Sequence, residues 1–219
     1  MSTPTLPTFQ GCTLLTSPRS PFGRRVRLAF REMGLLHEEK LLDVLKPNPE
    51  VYAKNPLGRV PTVILRSGEV LFESSLILEA LNESHPNPLK PKAPADRLLC
   101  YRWSATALGL MEKTVEYFFE SLRPEAHRDE ELLREIRSIF EGSLSAFEQF
   151  LRTAPEHDRT TISGEGLTQA DLDLGTALTY LSLRYPWNWR AEFPQAAAFN
   201  DRMESRASFR ATVPPRPTN

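Results

Sequence analysis

Apolar and polar positions alternate in two different periods along the first third of the chain. A short apolar run at residues 11–16 predicts a buried strand, and the pattern at residues 38–44 predicts a second one. Between them, residues 22–33 repeat apolar side chains at steps of 4, 4 and 3, which predicts an amphipathic helix that Gly34 ends. These apolar residues are Phe22, Val26, Phe30 and Met33.

A second group of elements surrounds Pro61. Residues 46–55 are rich in proline and asparagine and predict a loop with at most one helical turn. In residues 59–74, a proline precedes a β-branched run, Ser67-Gly68 turns the chain into a second run, and a helix begins at Ser74. The predicted order is β-α-β, loop, β-β-α, and a β-α-β start implies a parallel strand pair with a right-handed crossover.

The pattern changes after residue 88, where residues 89–95 are typical of a linker. We predict an α/β domain at residues 11–88, an all-α domain at residues 96–213, and flexible ends at residues 1–10 and 214–219. The predicted parts of the all-α domain are one or two helices at 98–119, further helices at 129–151, 168–184 and 196–206, and a polar loop at 154–166.

The composition argues against several functional classes. Among 219 residues, 40% are apolar and 25% charged, and the net charge of −1 gives no reason to expect nucleic acid or an anionic membrane as a partner. No apolar run approaches the roughly 20 residues that cross a bilayer, and the N-terminus lacks the pattern of a secretion signal. The only cysteines, Cys12 and Cys100, favour a reducing cytoplasm, and four isolated histidines predict no metal site.

Residues 59–74 also hold the clearest candidate binding chemistry. A cis bond between Val60 and Pro61 would turn the N–H and C=O of Val60 outward, as one donor and one acceptor for a peptide-like ligand. Ser74 at a helix start adds a hydroxyl and free N–H groups, which favour a carboxylate, and Glu73 can hold an ammonium group. Glutathione, with a free α-amino-acid end and an amide backbone, fits these groups.

Four motifs in register resemble those of the cytosolic glutathione transferases. Residues 20–27 (Ser-Pro-Phe-Gly-Arg-Arg-Val-Arg) are similar to the start of helix one in the tau class and in many bacterial members. Residues 55–61 (Asn-Pro-Leu-Gly-Arg-Val-Pro) resemble the family segment Asn-Pro-x-Gly-x-Val-Pro. Glu73-Ser74 is similar to the acidic-hydroxyl pair of the family, and residues 168–171 resemble the capping box of its helical domain.

The resemblance extends over residues 13–209 and implies a thioredoxin-like N-terminal domain and a C-terminal helical bundle domain. It implies a cytoplasmic glutathione transferase that uses glutathione as co-substrate and attacks a small hydrophobic electrophile with the thiolate. Such proteins are usually homodimers, and residues 74–84 and 98–119 would form the interface by analogy.

The same resemblance assigns roles to individual residues. Ser20 would donate its hydroxyl to the bound thiolate as the catalytic residue, with helix capping as the structural alternative and Ser17 as the fallback donor. Lys46 or Arg59 would meet the glycine carboxylate of glutathione. The residues predicted to bind glutathione are Phe22, Lys46, Arg59, Val60, Pro61, Glu73 and Ser74.

Other candidates have structural interpretations of at least equal weight. Tyr101 and Trp103 could line an acceptor pocket, but core packing explains them as well. Cys12 and Cys100 are expected to be buried small hydrophobes. The arginines at residues 24–27 predict a solvated helix face.

Three alternative functions remain open at this point. One is a glutathione-dependent isomerase or dehalogenase on the same site. A reductase or peroxidase is disfavoured because Ser20, unlike the cysteine of omega-like relatives, forms no mixed disulfide. The third is a non-catalytic interaction protein, against which the intact Ser20, Val60-Pro61 and Glu73-Ser74 argue.

Overall fold

The computed structural model describes residues 8–153, 161–163 and 166–216. Most of the predicted polar loop, most of the predicted N-terminal arm and the last three residues of the predicted tail lie outside this part of the chain. The chain forms two compact units, the first with the residues up to Lys90 and those from Ser208 onward, the second with Pro91–Ala207. The boundary between Lys90 and Pro91 falls inside the predicted linker.

The first unit is a four-stranded sheet with helices. Its elements are β1 (Cys12–Thr16), α1 (Pro21–Glu32), β2 (His37–Leu41), α2 (Pro49–Tyr52), β3 (Thr62–Ile64), β4 (Val70–Phe72) and α3 (Ser74–Ser84). The strand order in the sheet is β2-β1-β3-β4. Strands β1 and β2 are parallel, whereas β1 with β3 and β3 with β4 are antiparallel. This topology confirms the predicted β-α-β, β-β-α order and its parallel first pair.

Both ends of α1 follow from its sequence. Ser20 caps the N-terminus, and a proline occupies the first helical position, where a missing N–H costs nothing. At the other end Gly34 has a φ of +68°, and the N–H of Leu35 donates to the carbonyl of Phe30 at 2.9 Å. This is the Schellman arrangement, in which a glycine supplies the left-handed residue, so Gly34 ends the helix as predicted.

The arginines of α1 do not form the predicted solvated face. Arg24, Arg25 and Arg27 are all buried. The hydrogen-bond partners of each arginine lie in a different part of the chain. For example, Arg27 Nε donates to Glu39 of β2 at 2.9 Å. The prediction was wrong because it weighed net charge alone, and partners far away in sequence leave no local signal.

The C-terminal residues belong to the first unit, although the predicted helical domain ran to residue 213. A short helix α9 (Ala207–Arg210) places Phe209 beside α1. Arg24 lies 5.1 Å from the centre of the Phe209 ring and donates to the carbonyl of Phe209 at 3.3 Å and to Thr212 Oγ1 at 3.4 Å. These contacts explain why the chain returns to the first unit from Ser208 onward.

The predicted flexible arm is ordered at its C-terminal end. Phe9 is buried, and its ring meets Phe30 edge-on with 6.0 Å between centres. The N–H of Cys12 donates to the carbonyl of Phe9 at 3.2 Å. The buried ring and this hydrogen bond both hold the segment that enters β1.

The second unit is helical, and its described residues contain no strand. The region predicted as one or two helices is one helix of 28 residues. None of the helices in the described parts of the chain is long and apolar enough to cross a membrane. The helices are α4 (Pro94–Ser121), α5 (Glu130–Thr153), α6 (Gln169–Arg184), α7 (Trp189–Glu192) and α8 (Pro194–Glu204), with a 3₁₀ turn at Glu125–His127.

Helix α6 forms the centre of this unit and begins at the predicted capping box. Asp171 Oδ2 accepts from the N–H of Thr168 at 2.7 Å and from its hydroxyl at 2.6 Å. Asp171 Oδ1 accepts from the N–H of Ile162 at 2.8 Å. Asp171 is fully buried, and this burial raises its pKa to about 6.

Candidate functional site

Three segments with the predicted site residues lie at one edge of the sheet in the first unit. Leu15 pairs with Thr62, and Thr62 pairs with Phe72. Because both pairs are antiparallel, the chain after β1, the chain before β3 and the chain after β4 share this edge. The predicted residues in these segments are Ser20, Val60, Pro61, Glu73 and Ser74.

Ser20 is half-buried at the N-terminus of α1. Its Oγ accepts from the N–H of Gly23 at 3.1 Å, and its carbonyl accepts from the N–H of Arg24 at 2.9 Å. A serine hydroxyl that accepts this bond still has its own proton to donate. The cap and the predicted thiolate donor are therefore compatible roles of one oxygen.

The position of Ser20 depends on a close contact between Thr16 and Gly23. A Cβ on Gly23 would lie 2.0 Å from Thr16 Oγ1, so only glycine allows α1 to start this close to the end of β1. Thr16 is 0% exposed, and its hydroxyl has no hydrogen-bond partner within the described residues. Sequence reasoning missed this contact, although a glycine in the first turn of a helix is a usable signal.

The side chain of Asn55 fixes the loop before β3 through two hydrogen bonds. Asn55 Nδ2 donates to the carbonyl of Arg59 at 2.9 Å and to Thr62 Oγ1 at 3.1 Å. Gly58 has a φ of +62°, and a Cβ there would lie 2.2 Å from the ring of Tyr52. The Asn-Pro-Leu-Gly segment thus builds a fixed loop that presents the next residues at the sheet edge.

The peptide bond between Val60 and Pro61 is cis, as predicted. Pro61 is buried and Val60 is half-buried. Among the described residues, neither the N–H nor the C=O of Val60 takes part in a turn, loop or capping hydrogen bond.

Glu73 has a backbone conformation that glycine usually adopts. Its φ of +71° makes it the one residue other than glycine with a positive φ among those described. Glu73 caps α3, and its Oε1 accepts from the N–H of Ser75 and from Ser74 Oγ, both at 3.3 Å. Residues held in such conformations cluster at functional sites, which makes Glu73 a candidate on structural grounds as well.

Arg25 is the site residue that sequence reasoning missed. Its Nη1 donates to Ser74 Oγ and to Ser75 Oγ, at 3.1 Å each. The contact spans about 50 residues of sequence, from the first turns of α1 to the start of α3. A sequence pattern gives no indication of such a long-range pair.

The remaining candidates for glutathione binding lie in nearby segments of the first unit. Lys46 is exposed in the loop between β2 and α2, and Arg59 is exposed next to Val60. Phe22 is half-buried in the first turn of α1.

The two residues predicted to line an acceptor pocket differ in exposure. Trp103 is 2% exposed, and its ring lies 5.0 Å from the rings of Phe147 and Phe150. This packing supports the core interpretation for Trp103. Tyr101 is exposed on α4.

Neither cysteine has the character of a nucleophile. Both are buried, and burial raises the pKa of Cys12 to about 11 and also raises the pKa of Cys100. The thiols are therefore protonated near neutral pH, which confirms the prediction that they are buried small hydrophobes. Over the described ranges, no group of three or more His, Cys, Asp or Glu side chains could hold a metal ion.

The chain matches two family models at the positions of its two units. Residues 19–84 match the model described as glutathione S-transferase, N-terminal domain. Residues 129–202 match the model described as glutathione S-transferase, C-terminal domain.

Individual proteins are similar over nearly the whole chain. The uncharacterized GST-like protein YibF of Escherichia coli (strain K12) is 28% identical over 207 residues, which are 93% of this chain and 98% of YibF. A crystal structure of a glutathione S-transferase from Methylobacterium radiotolerans, in complex with glutathione sulfonate, has a TM-score of 0.86 at 34% identity and covers 96% of this chain and 98% of its own. Another from Methylobacillus flagellatus, with GSH bound, has a TM-score of 0.85 at 31% identity, over 94% of this chain and 100% of its own. The chain belongs to the glutathione S-transferase family.

Proposed function

We propose that this protein is a serine-type glutathione transferase that activates glutathione with Ser20. The observation that carries this proposal is the shared sheet edge, at which the Ser20 hydroxyl, the Val60-Pro61 segment and the Glu73 carboxylate follow or precede adjacent strands. Two similar structures, at 34% and 31% identity, contain glutathione sulfonate and glutathione, which supports the same ligand for this chain.

Each part of glutathione has a partner of matching chemistry in this proposal. The N–H and C=O of Val60 pair with the backbone of the cysteinyl residue. Glu73 takes the γ-glutamyl ammonium, and the N–H groups at the start of α3, from Ser74 onward, favour the neighbouring carboxylate. Lys46 or Arg59 meets the glycine carboxylate. Phe22 and Pro61 border the cysteinyl residue.

The chemistry requires a thiolate, because a neutral thiol is a weak nucleophile. A free thiol has a pKa of about 8.5, and each unit of lowering corresponds to about 1.4 kcal/mol of thiolate stabilisation. The Ser20 hydroxyl donates to the sulfur, and the positive end of the α1 dipole stabilises the negative charge. The released proton passes to solvent.

In the transfer step, the sulfur forms a bond to an electrophilic carbon while the leaving group departs with its electron pair. The acceptor is a small hydrophobic electrophile. Ser20 favours this conjugation over thiol–disulfide exchange, because a serine forms no mixed disulfide. We further propose that the protein acts as a cytoplasmic homodimer.

Retention on immobilised glutathione, followed by a panel of aryl halides, epoxides, enones, peroxides and mixed disulfides, tests this function. We expect elution by free glutathione and turnover of electrophiles but not of mixed disulfides. Retention with no turnover of any acceptor would favour the non-catalytic interaction protein. A protein that is not retained and shows no activity would overturn the proposal.

A further inference from the structure

Arg184, in the last turn of α6, is a cation without a hydrogen-bond partner. The residue is half-buried, and its Nε is shielded from solvent. Within the described parts of the chain, none of the N–H donors of this guanidinium meets an acceptor. Removing such donors from water costs free energy unless an acceptor replaces the lost hydrogen bonds. Arg184 therefore carries a cost that no contact inside the protein offsets in kind.

Two aromatic rings hold the guanidinium in place. Its central carbon lies 3.9 Å from the centre of the Phe118 ring on α4 and 5.7 Å from the centre of the Tyr180 ring, one turn earlier on α6. The dipole of α6 also favours a cation in the last helical turn. The rings and the dipole stabilise the positive charge, but neither supplies an oxygen to accept from the N–H groups. The guanidinium is thus positioned and still lacks an acceptor.

Arg137 shows that stacking on a ring does not prevent an internal ion pair. It is another half-buried arginine of the second unit, and it lies 4.1 Å from the centre of the Trp187 ring. Arg137 Nε nevertheless donates to the carboxylate of Glu141, one turn later on α5. The missing partner is therefore a property of the surroundings of Arg184 and not of stacked arginines in general.

Large apolar side chains are exposed next to this cation. The Phe119 ring lies 5.3 Å from the Phe118 ring and is 54% exposed. Leu122 follows Phe118 by four residues, which places it on the same side of α4, and it is 64% exposed. Single exposed apolar residues are ordinary, but here they adjoin a guanidinium that has no acceptor. The end of α4 and the end of α6 together present an apolar surface with one positive charge.

We propose that Arg184, Phe118, Phe119 and Leu122 form a binding site for a small apolar acid. The planar guanidinium binds the carboxylate through two parallel N–H bonds, and the apolar body of the acid covers the exposed side chains. One unpaired cation matches one carboxylate. This site goes beyond the proposed transferase activity, because every residue assigned to glutathione lies in the first unit and these four lie in the second.

Two probes that differ in charge test this site. 2-Naphthylacetate has an aromatic body and one carboxylate, and 2-naphthylacetamide has the same body without the charge. In calorimetric titrations without glutathione, the wild type should bind the acid about 10-fold more tightly than the amide, as expected for a charge-assisted hydrogen bond. Because glutathione is absent, the result does not depend on the proposed function.

Arg184→Met should abolish the preference for the acid. Methionine keeps an apolar contact with Phe118 but has no charge, so we expect the acid to bind as weakly as the amide and the affinity for the amide to stay unchanged. Arg137→Met is the matched control, since it removes another half-buried stacked arginine of the same unit. This control should bind both probes as the wild type does.

The stability of Arg184→Met separates a binding role from a structural one. The substitution removes donors that have no acceptor, so the melting temperature without ligand should stay within about 2 °C of the wild type or rise. A larger fall would assign the guanidinium to the structure and would overturn the inference.

Leu122→Ser tests the apolar part of the site at an exposed position that the fold does not need. It should weaken the acid and the amide by the same factor, because both probes cover this side chain. Unchanged affinity for both probes would overturn the inference. So would a wild type that does not bind the acid, or that binds the acid and the amide equally.

An apolar acid at this site has two possible sources, an acceptor that carries a carboxylate or a ligand that is not consumed. Inhibition of transfer to an uncharged electrophile distinguishes them. Competitive inhibition by 2-naphthylacetate that Arg184→Met removes would support the site and identify the acceptor as its occupant. Binding without competition would support the site and identify a separate ligand.

Discussion

A single oxygen at residue 20 carries both a structural and a proposed chemical task. Ser20 Oγ accepts from the N–H of Gly23 and keeps a proton for the sulfur. The structural task fixes the direction of the hydroxyl, and a fixed donor needs no reorganisation when charge appears. Sequence reasoning predicted the cap at Ser20 because a capping signal is local, and it took the proposed catalytic role from the family resemblance. It missed Arg25, whose partners lie in another element.

Replacing Ser20 by alanine should affect catalysis more than binding. We expect kcat to fall roughly 10- to 1,000-fold, the cost of losing one preorganised donor to an anion. Glutathione affinity should change little, and the lost cap should cost about 1 kcal/mol of stability. Steady-state kinetics with a chromogenic electrophile measure both constants. Full activity in Ser20→Ala, combined with loss of activity in Ser17→Ala, would move the role to Ser17.

Thr16 offers a test of the contact beneath Ser20. Thr16→Val keeps the shape and removes a buried hydroxyl that has no partner in the described structure, so it should leave stability unchanged or raise it by about 1 kcal/mol. Gly23→Ala places a methyl group 2.0 Å from the same oxygen and should destabilise the protein by about 1–3 kcal/mol. Urea unfolding of the two variants measures both effects. Equal stability of Gly23→Ala and wild type would show that α1 does not need this close approach.

Among whole elements, α6 shows which helix signals a sequence contains. The capping box at residues 168–171 involves groups three residues apart, so a local pattern predicted the helix start. The hydrogen bond from the N–H of Ile162 to Asp171 ties the preceding loop to α6. Its donor lies in another segment, so no local pattern indicated it. For the same reason strand positions were predictable from periodicity, whereas the partners of the α1 arginines were not.

Asp171→Ala should lower the free energy of unfolding by about 1 kcal/mol or more, because it leaves the N–H groups of Thr168 and Ile162 without their acceptor. The kinetics of the folded variant should stay near normal. Chemical denaturation measures the loss. An unchanged unfolding midpoint would mean that the helix start is held by other contacts.

The pH dependence of stability gives a second test of the same carboxyl. Burial raises the pKa of Asp171 from 3.8 to about 6, so the folded state binds its proton more tightly than the unfolded chain. This contribution to stability is complete below pH 4 and is lost as the pH rises through 6, by at most about 1.4 kcal/mol per unit. Relative to Asp171→Asn, the wild type should therefore lose melting temperature between pH 4 and 6. A constant difference would contradict the raised pKa.

At the scale of the whole molecule, the two-domain order was predictable because composition and periodicity change near residue 88. The return of the C-terminus to the first unit was not, because Arg24 and Phe209 lie 185 residues apart in sequence. The segment from Ser208 places the fully buried ring of Phe209 beside α1, and the carbonyl of Phe209 accepts a hydrogen bond from Arg24. Helix α1 therefore depends on residues at both ends of the chain.

Phe209→Ala should test this dependence. Removing a buried phenylalanine typically costs about 3–5 kcal/mol, while Val213→Ala, at a residue that is 58% exposed, should change stability by less than about 0.5 kcal/mol. Hydrogen exchange followed by mass spectrometry locates the effect. We expect Phe209→Ala to accelerate exchange in α1 more than in α4 and α6, since Phe209 packs beside Arg24 and not within the helical unit. Faster exchange centred on α6 would instead assign the C-terminal segment to the second unit, as the sequence pattern had suggested.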